Sequence, residues 1–429
     1  MIMRPETMLR SLAMRHYASP AYRHRQHQRA RRLCKKQRAQ PEVHYFHRVD
    51  DPHSHLAVQR LDVLRAAYTL DFRVHLVSKP PAPYLGNPES FDAWAVRDAQ
   101  AIAPLYRVAF SPAIVTPTQQ AVAAANAALA PMLDQDNFAS EAGSIGERLW
   151  AGASLDAWSE TPGTKQKVLA GTALQQSLGH FLGGMFYFQG EWYWGIDRIR
   201  SLEARLHAEG YSGADWSPCV PEPKPDTSKQ ASNVLLEYFP SLRSPFTAIG
   251  HQRVLDLIQR TGIRVGLRPV MPMLMRGVTA PRAKQRFIIT DAAQQGREQG
   301  APLGRIVDPF GEPVRRAFDL YPGAVALGQE MAFITAYLQA AWQDGVDISS
   351  NRGLQQVADR AGIDWLALNA AAKGQDSAAL LQSNLAAMQG GNLWGVPSFR
   401  ISGGGKAPLC CWGQDRIWLV EHDIASRTP

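Results

Sequence analysis

Few residues in this chain keep the company that chemistry needs. Cys34, Cys219, Cys410 and Cys411 include no CxxC pair, so they can build neither a redox dithiol nor a zinc ribbon. Cys410 and Cys411 lie in the apolar run LCCW and read as buried strand residues. The stretch HYFHRVDDPHSHLA crowds His44, His47, His53 and His55 with Asp50 and Asp51, residue types that ligate metals. His53 and His55 are two apart at a helix start and so face different ways. No spacing in that stretch matches a ligand set; it reads as a polar helix cap, and no metal is expected. GGGK at 403–406 lacks the distant glycine, the following Ser or Thr and the helix of a phosphate loop, so it reads as a hairpin turn. Ser244 directly precedes Pro245, the arrangement of an N-cap with proline at the first helical position.

The elements that must position these residues are clearest in the second half of the chain. VLLEYF (234–239) is a short apolar strand, and the helix that follows runs from Ser244 to a C-cap at Gly262. IRVGLRPV (263–270) is a second strand, parallel to the first because a helix crosses between them. A helical stretch over about 281–391 follows, with periodic segments such as MAFITAYLQAAWQDG. The chain then returns to strand at WGVPSFRIS, turns at Gly403 to Gly405, continues through LCCW and closes with the helix QDRIWLVEHDI.

The same grammar occurs twice. With a shift of 193 residues, Tyr45-Phe46 falls on Tyr238-Phe239, Pro52 on Pro245, Gln59-Arg60 on Gln252-Arg253, Pro88 on Pro281 and Asp98-Ala99 on Asp291-Ala292. WGIDRI (194–199) repeats as WGQDRI (412–417) at an offset of 218, so the second copy holds about 25 more residues. The expected organisation is a basic arm (1–40), a first domain (41–209), a Pro- and Ser-containing linker (210–232) and a second domain (233–429). The expected fold is α/β, two tandem domains each interrupted by a helical insert.

Composition bounds the function. With 45% hydrophobic and 20% charged residues, the 429-residue chain is globular, and no apolar run approaches the about 18 residues of a membrane span. Few cysteines suit a reducing compartment, and a cytoplasmic protein is expected. The net charge of +8 is local: the first 40 residues carry +10, which leaves −2 for the other 389. The arm reads as solvated, with no secure helix start or stop. An organellar presequence, weak binding to a polyanion or an uninvolved tail are all compatible with it, and nucleic acid is expected as a partner only through this arm.

The order of elements, with GVPSF before the hairpin, resembles the thioredoxin-like fold in its DsbA-type form, where a cis-proline faces a helix N-terminus. Where disulfide oxidoreductases have CxxC, this chain has SPFT (244–247), which excludes dithiol exchange there. YFPSLRSPFTAIG, PRAKQRFIITDAA, AAWQDGVDIS and GNLWGVPSF with WGQDR are similar to the kappa-class glutathione transferases and the 2-hydroxychromene-2-carboxylate isomerases, over nearly all of 233–425. The resemblance implies glutathione as cofactor, with Ser244 donating a hydrogen bond to its sulfur. A hydroxyl and the positive end of a helix both favour thiolate over thiol. It further implies backbone pairing of the cysteinyl unit with Val396 and Pro397, a γ-glutamyl site at Gln414 and Asp415, and Lys284, or else Arg282, near the glycyl carboxylate. Plainer readings stand beside these: Ser244 and Asp415 as caps, Pro397 as a feature of the fold, and Lys284 as a solvated lysine.

The first copy departs from this pattern. At the matching positions Asp51 replaces Ser244, Met185 replaces Pro397 and Phe91 replaces Lys284, while Asp197 persists. A carboxylate beside a thiolate would raise the sulfur pKa, so this copy is not expected to activate glutathione. It would instead act as a partner module in cis, an intramolecular pseudo-dimer, with a homodimer also left open. The function expected is a glutathione-dependent isomerase or transferase acting on a small hydrophobic, aromatic or conjugated carbonyl substrate. Met271, Met273, Leu274, Met275 and Trp394 would form its apolar wall, or would simply be core. The alternative is a non-catalytic thioredoxin-fold binding or scaffold protein.

Overall fold

The structure, a computed structural model, describes residues 4–220, 231 and 233–427. These fall into two compact units: residues 23–220 form one, and residues 4–22 join 231 and 233–427 in the other. Each unit is built on a four-stranded sheet. In the first, β1 (Glu42–His47) and β2 (Asp71–Leu76) run parallel, and β3 (Met185–Phe188) and β4 (Glu191–Trp194) follow antiparallel, in the order β2-β1-β3-β4. In the second, β5 (Val234–Phe239), β6 (Arg264–Leu267), β7 (Ser398–Gly403) and β8 (Lys406–Trp412) take the order β6-β5-β7-β8 with the same directions. The inner strands β1 and β5 are more fully buried than the outer strands β2, β6 and β8. Val43, Tyr45 and Phe46 of β1 and Val234, Leu236, Tyr238 and Phe239 of β5 are all inaccessible to solvent.

The helix Pro245–Thr261 shows why this sequence starts and stops where it does. The Ser244 Oγ accepts from the Thr247 amide, Pro245 occupies the first turn, and Gly262 takes the left-handed conformation (φ 60°, ψ 20°) that returns its amide to Ile258. Ile249, Val254 and Leu257 form its buried face. Between β6 and β7 lie the helices Arg282–Glu298, Glu312–Ala326, Glu330–Gln339, Asn351–Arg360, Trp365–Ala372 and Ser377–Gly390. They close around Phe318, Tyr321, Phe333, Tyr337 and Trp342. In the first unit five helices, from Ala82–Leu85 to Pro162–Ser177, occupy the corresponding place between β2 and β3. Among the described residues no helix is long and apolar enough to cross a membrane.

The first 40 residues differ from the solvated arm expected of them. They form two helices, Pro5–Ala18 and Pro20–Lys36. The first packs Met14, Tyr17 and Ala18 against the core of the helical insert. Arg10 Nε donates to Asp308 Oδ2 at 2.8 Å, Arg15 Nε to the Ile306 carbonyl at 2.7 Å, and the Asp308 amide to the Ser11 hydroxyl at 2.9 Å. Met8, Leu9 and Leu12 of this helix stay exposed, so its hold on the insert also depends on polar groups whose partners lie almost 300 positions away. The linker expected at 210–232 is also partly structured. The Trp216 ring stacks on His207 at 4.5 Å and donates to the Tyr68 hydroxyl, while the Cys219 amide donates to Glu203. Its remainder, 221–230 and 232, lies outside the described residues.

Candidate active site

Five of the residues singled out in the second half gather beyond the end of the inner strand β5, where the helix Pro245–Thr261 begins. Ser244, 7% exposed, is held from both sides: its Oγ accepts from the Thr247 amide at 3.1 Å and donates to the Val396 carbonyl at 3.3 Å. The peptide bond from Val396 to Pro397 is cis. The Pro397 carbonyl accepts from the Gly413 amide at 2.9 Å, which ties the proline loop to the turn Gln414–Arg416 that opens the last helix. Ser244, Val396, Pro397, Gln414 and Asp415 are therefore linked through two hydrogen bonds and the chain itself. The separation of 152 positions from Ser244 to Val396 is bridged because β7 pairs with β5.

Gln414 is 1% exposed, and its Oε1 accepts from Arg253 Nη1 at 3.0 Å, while its Nε2 is a buried donor with no acceptor among the described residues. An amide N–H left in that state costs about 1–3 kcal/mol unless something else accepts from it. Asp415 is half-buried one residue further on. Lys284 stands in the first turn of the helix Arg282–Glu298, half-buried, where burial pushes its ammonium pKa down to about 8. Arg282, the substitute considered for it, is exposed.

Two features went unread in the sequence. Arg276 donates from Nε to the Met271 carbonyl and from Nη2 to the Trp394 carbonyl, both at 3.0 Å, and its burial pushes its pKa down to about 10. It ties the methionine segment to the proline loop. Met271, Met273, Leu274 and Met275 are half-buried, and Trp394 lies against Trp412 with ring centroids 4.7 Å apart. The second feature is Asp308, fully buried, which accepts from both Arg243, next to Ser244, and Arg10 of the first helix. No local pattern signals either contact, since each joins a side chain to a distant segment.

The corresponding place in the first unit is filled by its own side chains. Asp51, 3% exposed, accepts from the Ser54 amide at 3.0 Å and the Ser54 hydroxyl at 2.7 Å, with Arg48 at 3.7 Å. Strand register corrects the match expected for Met185. Phe46 pairs with Met185 and Phe239 with Ser398, so Met185 corresponds to Ser398 and Gly184 to Pro397. The Gly184 carbonyl accepts from the Gly195 amide just as that of Pro397 accepts from Gly413. A Cβ on Gly183 would stand 2.7 Å from Arg48 Cβ and 2.8 Å from Asp51 Oδ2, so this loop closes directly on the helix start. Phe91 is buried, and Asp197 accepts from the Tyr106 hydroxyl at 2.9 Å. Burial holds His47 down to a pKa of about 3 and His55 to about 4. Among the described residues no group of three or more His, Cys, Asp or Glu side chains is placed to hold a metal ion.

Comparison with known proteins bears on the half that carries this geometry. Residues 235–425 match the family model of the DSBA-like thioredoxin domain. That stretch has the thioredoxin-like DsbA fold. Solved structures similar to the chain include a 2-hydroxychromene-2-carboxylate isomerase, 19% identical over 45% of this chain and 95% of that one, with a TM-score of 0.37. They also include the cytosolic disulfide reductase DsbM from Pseudomonas aeruginosa, 17% identical over 45% of this chain and 98% of the other, with a TM-score of 0.34. The same reductase with GSH is 16% identical over 45% and 99%, with a TM-score of 0.33. A search of curated proteins gave no match.

Proposed function

We propose that the second unit binds glutathione with its sulfur against Ser244 and acts as a glutathione-dependent isomerase or transferase on an aromatic or conjugated carbonyl compound. The observation that carries this reading is the Ser244 hydroxyl at a helix N-terminus, 3.3 Å from the carbonyl that precedes a cis-proline. The two groups satisfy each other. An anion at the helix start accepts the hydroxyl proton in place of Val396, and the Val396 carbonyl is then released to accept an amide N–H from the ligand. The orphaned Gln414 Nε2 fits a carboxylate at the γ-glutamyl end, with Asp415 beside it for the ammonium. Lys284 makes no hydrogen bond or ion pair with another described residue and suits the glycyl carboxylate. When bound, glutathione supplies a thiolate that adds to the conjugated carbon, turning a double bond into a rotatable single bond, and leaves again after rotation. The protein's part is to hold that sulfur deprotonated and to shape an apolar wall from Met271, Met273, Leu274, Met275 and Trp394.

The same proposal takes the two units as tandem copies forming a pseudo-dimer in cis, in which the first keeps the shape and fills its own site. Four cysteines joined by no disulfide suit the reducing compartment in which glutathione is abundant.

Titration calorimetry of glutathione against pH tests the binding mode. Because burial lowers the Lys284 pKa to about 8, the ammonium loses its proton as the pH rises through that value, and glutathione affinity falls with it. Below pH 7 the charge is present and affinity is at its plateau. Lys284→Gln is expected to weaken binding about tenfold at pH 7 and to abolish the alkaline fall. Glutathione affinity that is absent at every pH leaves the scaffold reading; affinity that is unchanged in the variant removes Lys284 from the site.

A further inference from the structure

We propose that the outer face of the helix Pro20–Lys36 is a docking surface for the phosphate backbone of double-stranded nucleic acid. Arg25, Arg29, Arg32 and Lys36 are all exposed. At about 100° per residue, their spacing of four, three and four places all four within an arc of about 60° on one side of the helix, in a stripe about 16 Å long. The opposite side holds Arg23, His27, Ala30 and Cys34, each half-buried. It is anchored on the β3–β4 hairpin. Arg23 donates from Nε and Nη2 to the two oxygens of Glu191 at 2.5 and 2.9 Å, and His27 Nε2 stands 3.2 Å from the same carboxylate. Arg31 pairs with Glu209 at 2.8 Å and with Gln189 at 3.2 Å. Burial alone would raise the Glu191 pKa, but hydrogen bonds from His27 and Arg23 hold the carboxyl well below its usual range, so the anchor persists at neutral pH. The four exposed cations are thus presented along one side of a fixed helix.

The chemistry of this face selects among polyanions. A helix that adsorbs to a membrane needs a broad apolar face as well as its cations, and Leu33 is the one large apolar side chain exposed here. Single-strand binders stack bases on aromatic side chains, and no exposed residue of this helix is Phe, Tyr or Trp. Cations one turn apart, without a broad apolar face or an exposed aromatic ring on the helix, suit contact with backbone phosphates and carry no sequence readout. This surface is independent of the glutathione reading.

Fluorescence anisotropy of the full chain with a labelled mixed-sequence duplex of about 20 base pairs tests it. Four phosphate contacts predict an affinity that falls about a hundredfold between about 50 and 200 mM salt. The variant Arg25→Gln, Arg29→Gln, Arg32→Gln, Lys36→Gln keeps good helix formers and is expected to lose at least about tenfold at the lower salt, with the salt slope nearly flat. A control removes the same charge from exposed positions of the second unit, Arg264→Gln, Arg315→Gln, Arg352→Gln, Lys406→Gln, and is expected to keep the slope. The proposal is overturned by an intact chain that shows no salt-dependent duplex binding, by equal losses in the two variants, or by binding to phosphatidylserine vesicles without binding to the duplex.

Discussion

Replacing Ser244 by Ala lowers glutathione-dependent turnover at least about a hundredfold, the usual cost of removing one well-placed hydrogen-bond donor from a developing or fixed anion. The hydroxyl also caps the helix through the Thr247 amide, so part of any loss could come from stability. That part is about 1 kcal/mol. A second substitution separates the roles. In the first unit Asp51 caps its helix through the Ser54 amide, so Ser244→Asp should keep the cap and the melting temperature. Its carboxylate, however, places like charge beside the sulfur and raises the thiol pKa, so turnover should fall at least as far as in the alanine variant. Activity that follows the melting temperature across the two variants would make Ser244 a cap and nothing more.

Asp308→Ala is expected to destabilise the second unit by about 3–5 kcal/mol, because it leaves the Arg10 and Arg243 guanidinium groups facing a cavity without their counter-ion. The carboxylate has no exposure of its own and accepts from both arginines at 2.8 Å, while Phe310 lies under both guanidinium groups. Arg10→Ala should cost much less. The Arg10 side chain is 35% exposed, and its removal leaves Asp308 still paired with Arg243. Urea unfolding of both variants reads the difference. Similar small losses would mean that the first helix rests on its apolar contacts alone and that the buried charge cluster contributes little.

Local signals made most of the second unit legible. Ser244, Pro245 and Gly262 each do what their residue types favour at a helix end, and the strands of both units follow their apolar runs. The repeated words WGIDRI and WGQDRI mark the duplication, whereas the neighbourhood of the proline loop and the last helix follows only from the family resemblance. Register was harder. The offset between copies is 193 before the insert, 213 at Gly184 and Pro397 and 218 after the hairpin, and the repeated words do not show how the change divides between insert and hairpin, which is why the sequence sets Met185 rather than Gly184 against Pro397. The first helix failed differently: its polar residues suggest solvent, and only the fold shows that Ser11, Arg10 and Arg15 meet the segment around Asp308. The orphaned amide of Gln414 and the Arg276 bridge are likewise properties of packing between distant segments.

Ultraviolet titration of enzyme-bound glutathione asks whether the helix start and its hydroxyl do to a sulfur what their placement implies. The bound thiol is expected to ionise near neutral pH, one to two units below the about 8.5 of a free cysteine thiol, and to move back toward that value in Ser244→Ala. A bound thiol that titrates at the free value in the unaltered protein would contradict the account.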